Sequence, residues 1–305
     1  MSSVATPPPE PPQPTSLPPG PRADLVENVR NALRALPFHF TSRTAIEGLE
    51  AGDLFSLNSV LGGTIEIQTV QNLNRLREVW DPNDQFPDYG FERFSQTFPD
   101  VRLVTRSESK PSPILGVELK GWYLLSREGE PSFRYTATRE ACDPFDLLVV
   151  VPWHLSNVLS GVPIVYEPYI EQARYAADYR NYYWRYQRGV KADGRIESPE
   201  DVQPYPPAKA ITADKPKSDS GGNFGRVARV SGLMDWYTEL RLSTRVAGIE
   251  ARHWVSFFKT YADAAKADRV HERITTLLAR ESDRTADEQT RRIVELLEEL
   301  RNLLA

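Results

Sequence analysis

The sequence predicts an α/β fold, because β-rich and helical stretches occupy separate parts of the chain. Short segments rich in aliphatic and aromatic residues, separated by Ser, Pro and Gly, run from Val101 to Val151. Apolar residues at helical spacing precede them, up to about Asp84, and follow them, from about Phe224. The expected architecture is therefore a sheet with helices around it and a helical C-terminal region.

The chain opens with a proline-rich leader, residues 1–22, which we expect to be disordered and to stay outside the fold. It has no positively charged region followed by an apolar stretch, so it does not have the pattern of a secretory signal. The main domain is predicted to span residues 23–188. Its clearest helix is TIEIQTVQNLNRLREVW, in which apolar residues recur at roughly helical spacing: Ile65, Val70, Leu73, Leu76 and Trp80.

Strands are predicted next in the segments VRLVTR, ILGVELKGWYLLS, SFRYTAT and DLLVVVPW. The last of these is a continuous apolar run, which is typical of a strand buried on both faces. A short strand, PIVY, follows. A long helix is then predicted from Glu167-Pro168 to the aromatic and basic segment NYYWRYQR.

The rest of the chain divides into a loop and a helical tail. Residues 189–222 are polar, rich in proline and aperiodic, so they are predicted to form a long loop. Residues 223–305 are predicted to be helical. The final segment carries an apolar stripe, which indicates packing or dimerisation and consists of Ile293, Leu296, Leu297, Leu300, Leu303 and Leu304.

Composition excludes several classes of protein. The sequence has no apolar run of about eighteen residues, so it predicts no membrane span. The single cysteine, Cys142, cannot form an internal disulfide, which fits the reducing cytoplasm. A net charge of -5 means that a polyanion would have to bind a local basic surface. The patterns GxSxG, HExxH, GxGxxG and CxxC do not occur, which argues against serine hydrolases, zinc proteases, dinucleotide enzymes and zinc fingers.

The strand ILGVELKGWYLLS places two charges in an apolar setting. Side chains alternate across a strand, so Glu118 and Lys120 share one face. Asp100 lies just before the preceding strand and reaches Glu118 if the two strands form a hairpin. Two carboxylates about 4 Å apart repel by about 4 kcal/mol at an effective dielectric of 20. They therefore require a cation, and Mg²⁺ prefers such oxygen ligands.

Pro99-Asp100, followed after seventeen residues by Glu118-Leu119-Lys120 on a strand, resembles the PD-(D/E)xK nuclease superfamily, which includes many type II restriction endonucleases. The resemblance implies a restriction-endonuclease-like core, a central mixed sheet flanked by helices. It also implies that Asp100 and Glu118 bind Mg²⁺, or Mn²⁺ as a substitute, and that Lys120 assists the attacking water. Many members carry a further glutamate on the helix before the first core strand, and Glu66 is the residue expected to match it.

The motif is short, and its context distinguishes it from other matches. Glu108-Ser109-Lys110 has the same pattern, but it lies in the polar, turn-like segment SESKPSP, where a charge is readily solvated. Glu118 lies between apolar residues, where an unpaired charge is costly. The alternative interpretation is that Glu118 and Lys120 form an ion pair on the surface of a sheet.

Two basic segments are predicted to contact DNA. RNYYWRYQR interleaves Arg180, Arg185 and Arg188 with aromatic residues, which suit stacking on nucleic acid. SGGNFGRVAR carries Arg226 and Arg229 behind glycines whose backbone can approach a phosphate. The alternatives are a helix with buried aromatics and solvated arginines, and a hinge before the C-terminal helices.

These observations predict a Mg²⁺-dependent endonuclease that hydrolyses phosphodiester bonds of double-stranded DNA in the cytoplasm. The resemblance favours a type II restriction enzyme that works beside a cognate DNA methyltransferase. Such an enzyme is expected to be a homodimer when it reads a palindrome. Two alternatives stay open: a repair nuclease on the same fold, and a non-catalytic adaptor whose leader and helical tail assemble with partners.

Overall fold

The computed structural model describes residues 8–41, 45–46, 57–107, 112–126, 131–189 and 193–263, together with residues 276 and 295. Every residue predicted to belong to the active site or to contact DNA lies in these ranges. The apolar stripe of the final segment and the second motif match, Glu108-Ser109-Lys110, lie outside them.

The described α-helices, numbered in chain order, are α1 (Pro21–Arg34), α2 (Leu36–His39), α3 (Leu57–Arg75), α4 (Arg77–Trp80), α5 (Ala173–Tyr182), α6 (Asp235–Leu242) and α7 (Ala251–Asp263). Helix α5 continues as one turn of π-helix over Tyr183–Gln187. The helical character predicted before about Asp84 is confirmed for the described residues of that region.

The described β-strands are β1 (Tyr89–Arg93), β2 (Val101–Thr105), β3 (Pro113–Tyr123), β4 (Leu147–Leu155), β5 (Pro163–Val165), β6 (Tyr169–Gln172), β7 (Ile196–Glu197), β8 (Lys215–Pro216), β9 (Arg245–Val246) and β10 (Ile249–Glu250). The main sheet has the order β1-β2-β3-β4-β5, and β6 also pairs with β4. Strands β3 and β4 are parallel, and the other pairs are antiparallel. The predicted class, a mixed sheet flanked by helices, is confirmed at this level.

The centre of the core is β4, in which every residue is buried. Its apolar run lies between β3 on one side and β5 and β6 on the other, while α5 packs against it. Helix α3 packs against β3 and β1. Burying an aliphatic side chain contributes about 1.5–3 kcal/mol, so this continuous run explains why the chain folds around β4.

The structure departs from the predicted elements in several places, and one of them is the pair of short strands β9 and β10 inside the region predicted to be helical. The long helix begins at Ala173 rather than at Glu167-Pro168, because residues 169–172 pair with β4 as strand β6. SFRYTAT does not form a strand. Its β-type pairing among the described residues is a single antiparallel bridge between Ala137 and Ala213. Strand β1 was not predicted, since YGFER is short and has little apolar alternation.

The end of the leader belongs to the fold. Helix α1 begins at Pro21, and proline suits the first turn of a helix because its missing N–H has no partner there. Leu17 packs against the core, and the backbone of Thr15 exchanges two hydrogen bonds with the side chain of Gln172. The folded part of the chain therefore begins before residue 23.

The segment predicted as a long loop is tied to the sheet. Its middle anchors on Asp146 at the start of β4, where the hydroxyl of Tyr205 donates to the carboxylate over 2.9 Å. The same carboxylate accepts the backbone N–H groups of Gly116 and Asp143, each over 2.7 Å. A Cβ at position 116 would clash with Pro99 and Asp146, so glycine is required for this close packing.

Asp146 is expected to make stability fall as the pH rises from about 4 to about 7. Burial raises its pKa from 3.8 to about 7, although the N–H of Asp143 acts in the opposite direction. The folded protein therefore keeps a proton that the unfolded chain releases in this window. The loss is up to about 1.4 kcal/mol of unfolding free energy per pH unit.

Urea unfolding at several pH values measures this dependence. Asp146→Asn cannot ionise, so it is expected to show a smaller slope than the wild type between pH 4 and 7. The same change at the exposed Asp88 is expected to keep the wild-type slope. An unaltered slope in Asp146→Asn would contradict the prediction.

Candidate active site

The hairpin of β2 and β3 places Asp100 beside Glu118. Val101 pairs with Val117 in antiparallel register, so Asp100, one residue before the strand, lies opposite Glu118. Residues directly opposite each other in such a pair project to the same side of the sheet. The carboxylate of Asp100 also accepts the backbone N–H of Leu119 over 3.0 Å. The hairpin predicted from the sequence is confirmed, and it brings the two carboxylates together.

Glu118 and Lys120 lie on one face of β3, as alternation predicts. The ammonium Nζ of Lys120 donates to Oε1 of Glu118 over 2.7 Å. Both side chains are largely covered, with exposed fractions of 11% for Glu118 and 22% for Lys120. The ion pair of the alternative interpretation is therefore present, but it is largely covered rather than exposed on the surface of the sheet.

Glu66 joins the cluster from helix α3, which packs against β3. Its carboxylate forms an ion pair with Arg93 at the end of β1. It also acts electrostatically on two other members, raising the pKa of both Asp100 and Lys120 as the smallest contribution to each. The structure therefore brings Asp100, Glu118 and Lys120 together, with Glu66 close enough to act on them electrostatically while it contacts Arg93.

The two neighbouring carboxylates disfavour each other's charge. The pKa of Asp100 is raised from 3.8 to about 8. Burial is the largest cause, and the negative charge of Glu118 is the second. Lys120 and the N–H of Leu119 act in the opposite direction but do not compensate. Asp100 therefore keeps its proton at neutral pH unless additional positive charge stabilises its ionised form.

Lys120 remains a cation in this setting. Burial lowers the pKa of its ammonium, but Glu118, Asp100 and Glu66 together outweigh burial, so the pKa is raised above 10.5. A lysine that holds its proton this firmly can donate hydrogen bonds and stabilise negative charge. It is poorly suited to remove a proton from water at neutral pH.

The donor set suits a hard divalent cation. Oxygen Oε2 of Glu118 is buried and has no hydrogen-bond partner among the described residues. Within the same residues, no set of three or more His, Cys, Asp or Glu side chains is arranged to hold a metal. Mg²⁺ is commonly held by one or two carboxylates, with water and substrate phosphate completing its coordination. Asp100 and Glu118 fit that pattern.

Glu118 and Lys120 line a cavity of about 270 Å³. Further residues of this cleft come from segments that the sequence did not associate with a site: Arg134 and Lys209, with Pro206 and Thr212 in the wall. Arg134 lies in SFRYTAT, which was predicted to be a strand, and Lys209 lies in the predicted loop. The sequence carries no local signal that links these segments to β3.

Arg180 does not contact solvent, so the prediction that it binds DNA is wrong. Its exposed fraction is 1%, and its guanidinium forms an ion pair with the fully buried Asp214. The same guanidinium donates to the carbonyl oxygens of Tyr135 and Ala137 over 2.8 and 3.1 Å. Arg180 is a structural residue that ties helix α5 to two distant segments.

The other predicted arginines lie nearer the surface. Arg185 is exposed, while Arg188 is half-buried and stacks on the ring of Trp184 at 3.9 Å. Arg226 and Arg229 are also half-buried. Together with Arg188 they line a second cavity, of about 290 Å³.

The two cavities are linked through Arg134. Its guanidinium lines the cleft that contains Glu118 and donates to the carbonyl oxygen of Gly222. Gly222 stands between Gly221 and Asn223, which line the second cavity. Of the arginines predicted to contact DNA, Arg188, Arg226, Arg229 and the buried Arg180 thus line a cavity whose neighbouring residue Gly222 is bound by Arg134.

Comparison with known proteins adds no family assignment. No protein-family model matches the chain, and no curated protein is similar to it. In the part of the chain that the structure describes, the helices are too short or too polar to cross a bilayer.

Proposed function

We propose that this chain is a Mg²⁺-dependent endonuclease that hydrolyses phosphodiester bonds in double-stranded DNA. The observation that carries the proposal is the position of Asp100 opposite Glu118, with Lys120 beside them and Glu66 nearby. The buried, unpartnered Oε2 of Glu118 supports it, because a glutamate oxygen in that state requires a cation or a donor.

Each residue of the cluster has a distinct task in this reaction. Asp100 and Glu118 would hold the cation, which activates water and neutralises phosphate charge when bound. Lys120, kept protonated by its neighbours, stabilises the negative charge that develops on the phosphoryl oxygens and orients the attacking water. Glu66, held by Arg93, adds negative charge beside the cation site.

The DNA duplex would cover the arginines around the second cavity. Arg188, Arg226 and Arg229, with the exposed Arg185, are proposed to contact its phosphates. We further propose the finer assignment to a cytoplasmic, homodimeric type II restriction enzyme that acts beside a methyltransferase, on a restriction-endonuclease-like core. That assignment is supported by the motif and its position on the β2–β3 hairpin.

Plasmid cleavage tests the proposal directly. Supercoiled plasmid is incubated with the protein and Mg²⁺, or with EDTA, and nicked and linear products are quantified. The wild type is expected to cleave with Mg²⁺ only, and Asp100→Ala and Lys120→Ala are expected to lose that activity. Asp88→Ala, in the second F-P-D sequence on the surface, is the matched control and is expected to cleave normally. Cleavage persisting in both cluster variants would refute the site.

Metal binding separates an enzyme from a non-catalytic assembly protein. Titration with Mn²⁺ in a calorimeter is expected to show binding by the wild type and a loss of at least tenfold in affinity in Asp100→Asn. The ion needs both carboxylates, since the described residues offer no third metal ligand. Identical binding by wild type and variant would favour the adaptor. A repair nuclease would bind metal equally, and digests of mismatched or branched DNA would distinguish it.

A further inference from the structure

The segment 203–213 forms one wall of the cleft that contains Glu118 and Lys120. Tyr205 fixes it through the hydrogen bond to Asp146 and through its ring, which lies 5.6 Å from the guanidinium carbon of Arg102. At the other end, the backbone N–H of Thr138 donates to the carbonyl oxygen of Thr212 over 2.6 Å. This wall is therefore held from both ends.

The wall presents Lys209 in a conformation that lysine rarely adopts. The N–H of Ala210 donates to the carbonyl oxygen of Pro207 over 3.1 Å, which closes a tight turn. Lys209 is the third residue of that turn and has φ 73°. This position favours glycine, because a Cβ crowds the backbone at positive φ. Six other described non-glycine residues also have positive φ, so the inference depends on the position of Lys209 in the cleft rather than on its conformation.

Arg134 brings a second cation to the same cavity. Its side chain is exposed, and its bond to the carbonyl oxygen of Gly222 holds the guanidinium in place. Lys209 and Arg134 thus add two positive charges to a cleft in which Glu118 already accepts a hydrogen bond from Lys120. The charged residues that line the cleft are thus Lys120, Arg134 and Lys209 as cations and Glu118 as the anion, a balance that suits an anionic ligand beside Glu118.

We propose that Lys209 and Arg134 bind the DNA phosphate next to the one that is cleaved, and so position the strand across the carboxylate cluster. The inference rests on the proposed nuclease function and extends it to two residues outside the motif. Both side chains would contact a phosphate oxygen, so each should contribute one ionic contact to DNA binding.

The salt dependence of DNA binding measures such contacts. Affinity for a fluorescent duplex is determined by anisotropy in EDTA, where no cleavage occurs, over a series of KCl concentrations. Lys209→Gly and Arg134→Gln are each expected to reduce the slope of log affinity against log salt by about 0.9, and the affinity near 0.1 M salt by roughly tenfold. Lys215→Gln, which changes an exposed lysine two residues after this wall and outside the cleft, is expected to keep the wild-type slope.

The glycine variant also addresses folding. Glycine relieves the strain at position 209, so Lys209→Gly is expected to unfold at the same temperature as the wild type or higher. Lys209→Asn, which tolerates positive φ, provides a second neutral variant. A structural role for Lys209 would show as lost stability with an unchanged slope.

The outcomes separate this inference from the nuclease proposal. If both cleft variants keep the wild-type slope of log affinity against log salt and the protein shows Mg²⁺-dependent cleavage, the inference is overturned and the nuclease proposal stands. An equal loss of slope in Lys215→Gln would also overturn it, because the effect would then reflect overall charge. Reduced slopes without any metal-dependent cleavage would refute the nuclease and leave the cleft as a nucleic-acid-binding site. A wild-type protein that binds no duplex would overturn the inference.

Discussion

Replacing Glu118 by glutamine is expected to reduce DNA cleavage by at least about a thousandfold while the protein stays folded. Holding a cation against a phosphate is expected to contribute several kcal/mol of charge stabilisation, and about 1.4 kcal/mol corresponds to a tenfold change in rate. Glutamine nearly matches glutamate in shape, and its carbonyl oxygen can still accept the hydrogen bond that Lys120 donates. The variant therefore loses the charge and little of the packing. Single-turnover plasmid cleavage measures the rate.

Measuring stability beside cleavage separates a loss of catalysis from a loss of folding. Next to burial, the charge of Glu118 is the main cause of the raised pKa of Asp100, so the two carboxylates repel each other. Removing the charge of Glu118 relieves this repulsion but also leaves Lys120 without its nearest counter-charge, so we expect the protein to stay folded with a lower free energy of unfolding. Glu92→Gln, on the exposed side of β1, is the matched control and should cleave at the wild-type rate. A Glu118→Gln protein with wild-type cleavage would contradict the site.

Replacing Asp214 by alanine is expected to lower the free energy of unfolding by about 3–5 kcal/mol. The change removes the negative partner of Arg180 and leaves a guanidinium charge in a site where both side chains are almost completely buried. Burial already lowers the pKa of Arg180, and Asp214 opposes that effect. The amide of Asn181 would also lose its acceptor at 2.9 Å. Urea unfolding monitored by tryptophan fluorescence measures the change.

Two further variants show whether the loss of stability in Asp214→Ala arises because the ion pair is buried. Asp193→Ala breaks an ion pair with Arg195 on the surface and is expected to leave stability nearly unchanged. The double variant Arg180→Met and Asp214→Leu replaces the buried pair by apolar groups and is expected to recover much of the loss. An Asp214→Ala protein as stable as Asp193→Ala would contradict the assignment of Arg180 as a structural residue.

The charged pair of the candidate site could be predicted from the sequence because it depends on strand geometry alone. Alternation along β3 determines that Glu118 and Lys120 share a face. The sequence left the pairing of β2 with β3 open, because the loop between them is too long to determine the register. In the folded sheet Val101 pairs with Val117, which places Asp100 opposite Glu118. The alternation could therefore be predicted, and the register could not.

The arginines could not be assigned in the same way. RNYYWRYQR mixes aromatic and basic residues on every side of the helix, so its sequence does not show which arginine turns inward. Arg180 is buried because Asp214, far along the chain, supplies its counter-charge. Arg185, one turn and a half later, has no such neighbour among its described contacts and is exposed. Whether an arginine of this helix is buried therefore depends on whether a distant segment supplies a carboxylate to pair with it.

By itself, the sequence determined the class of fold, the buried strand β4 and the shared face of Glu118 and Lys120 on β3. Each depends on the spacing of apolar and charged residues along a single segment. Only the tertiary structure decided that β6 pairs with β4, that Arg180 is buried, and that Arg134 and Lys209 line the cleft. These features join residues far apart in the chain, and the free energy that holds them arises from contacts that exist only after the chain has folded.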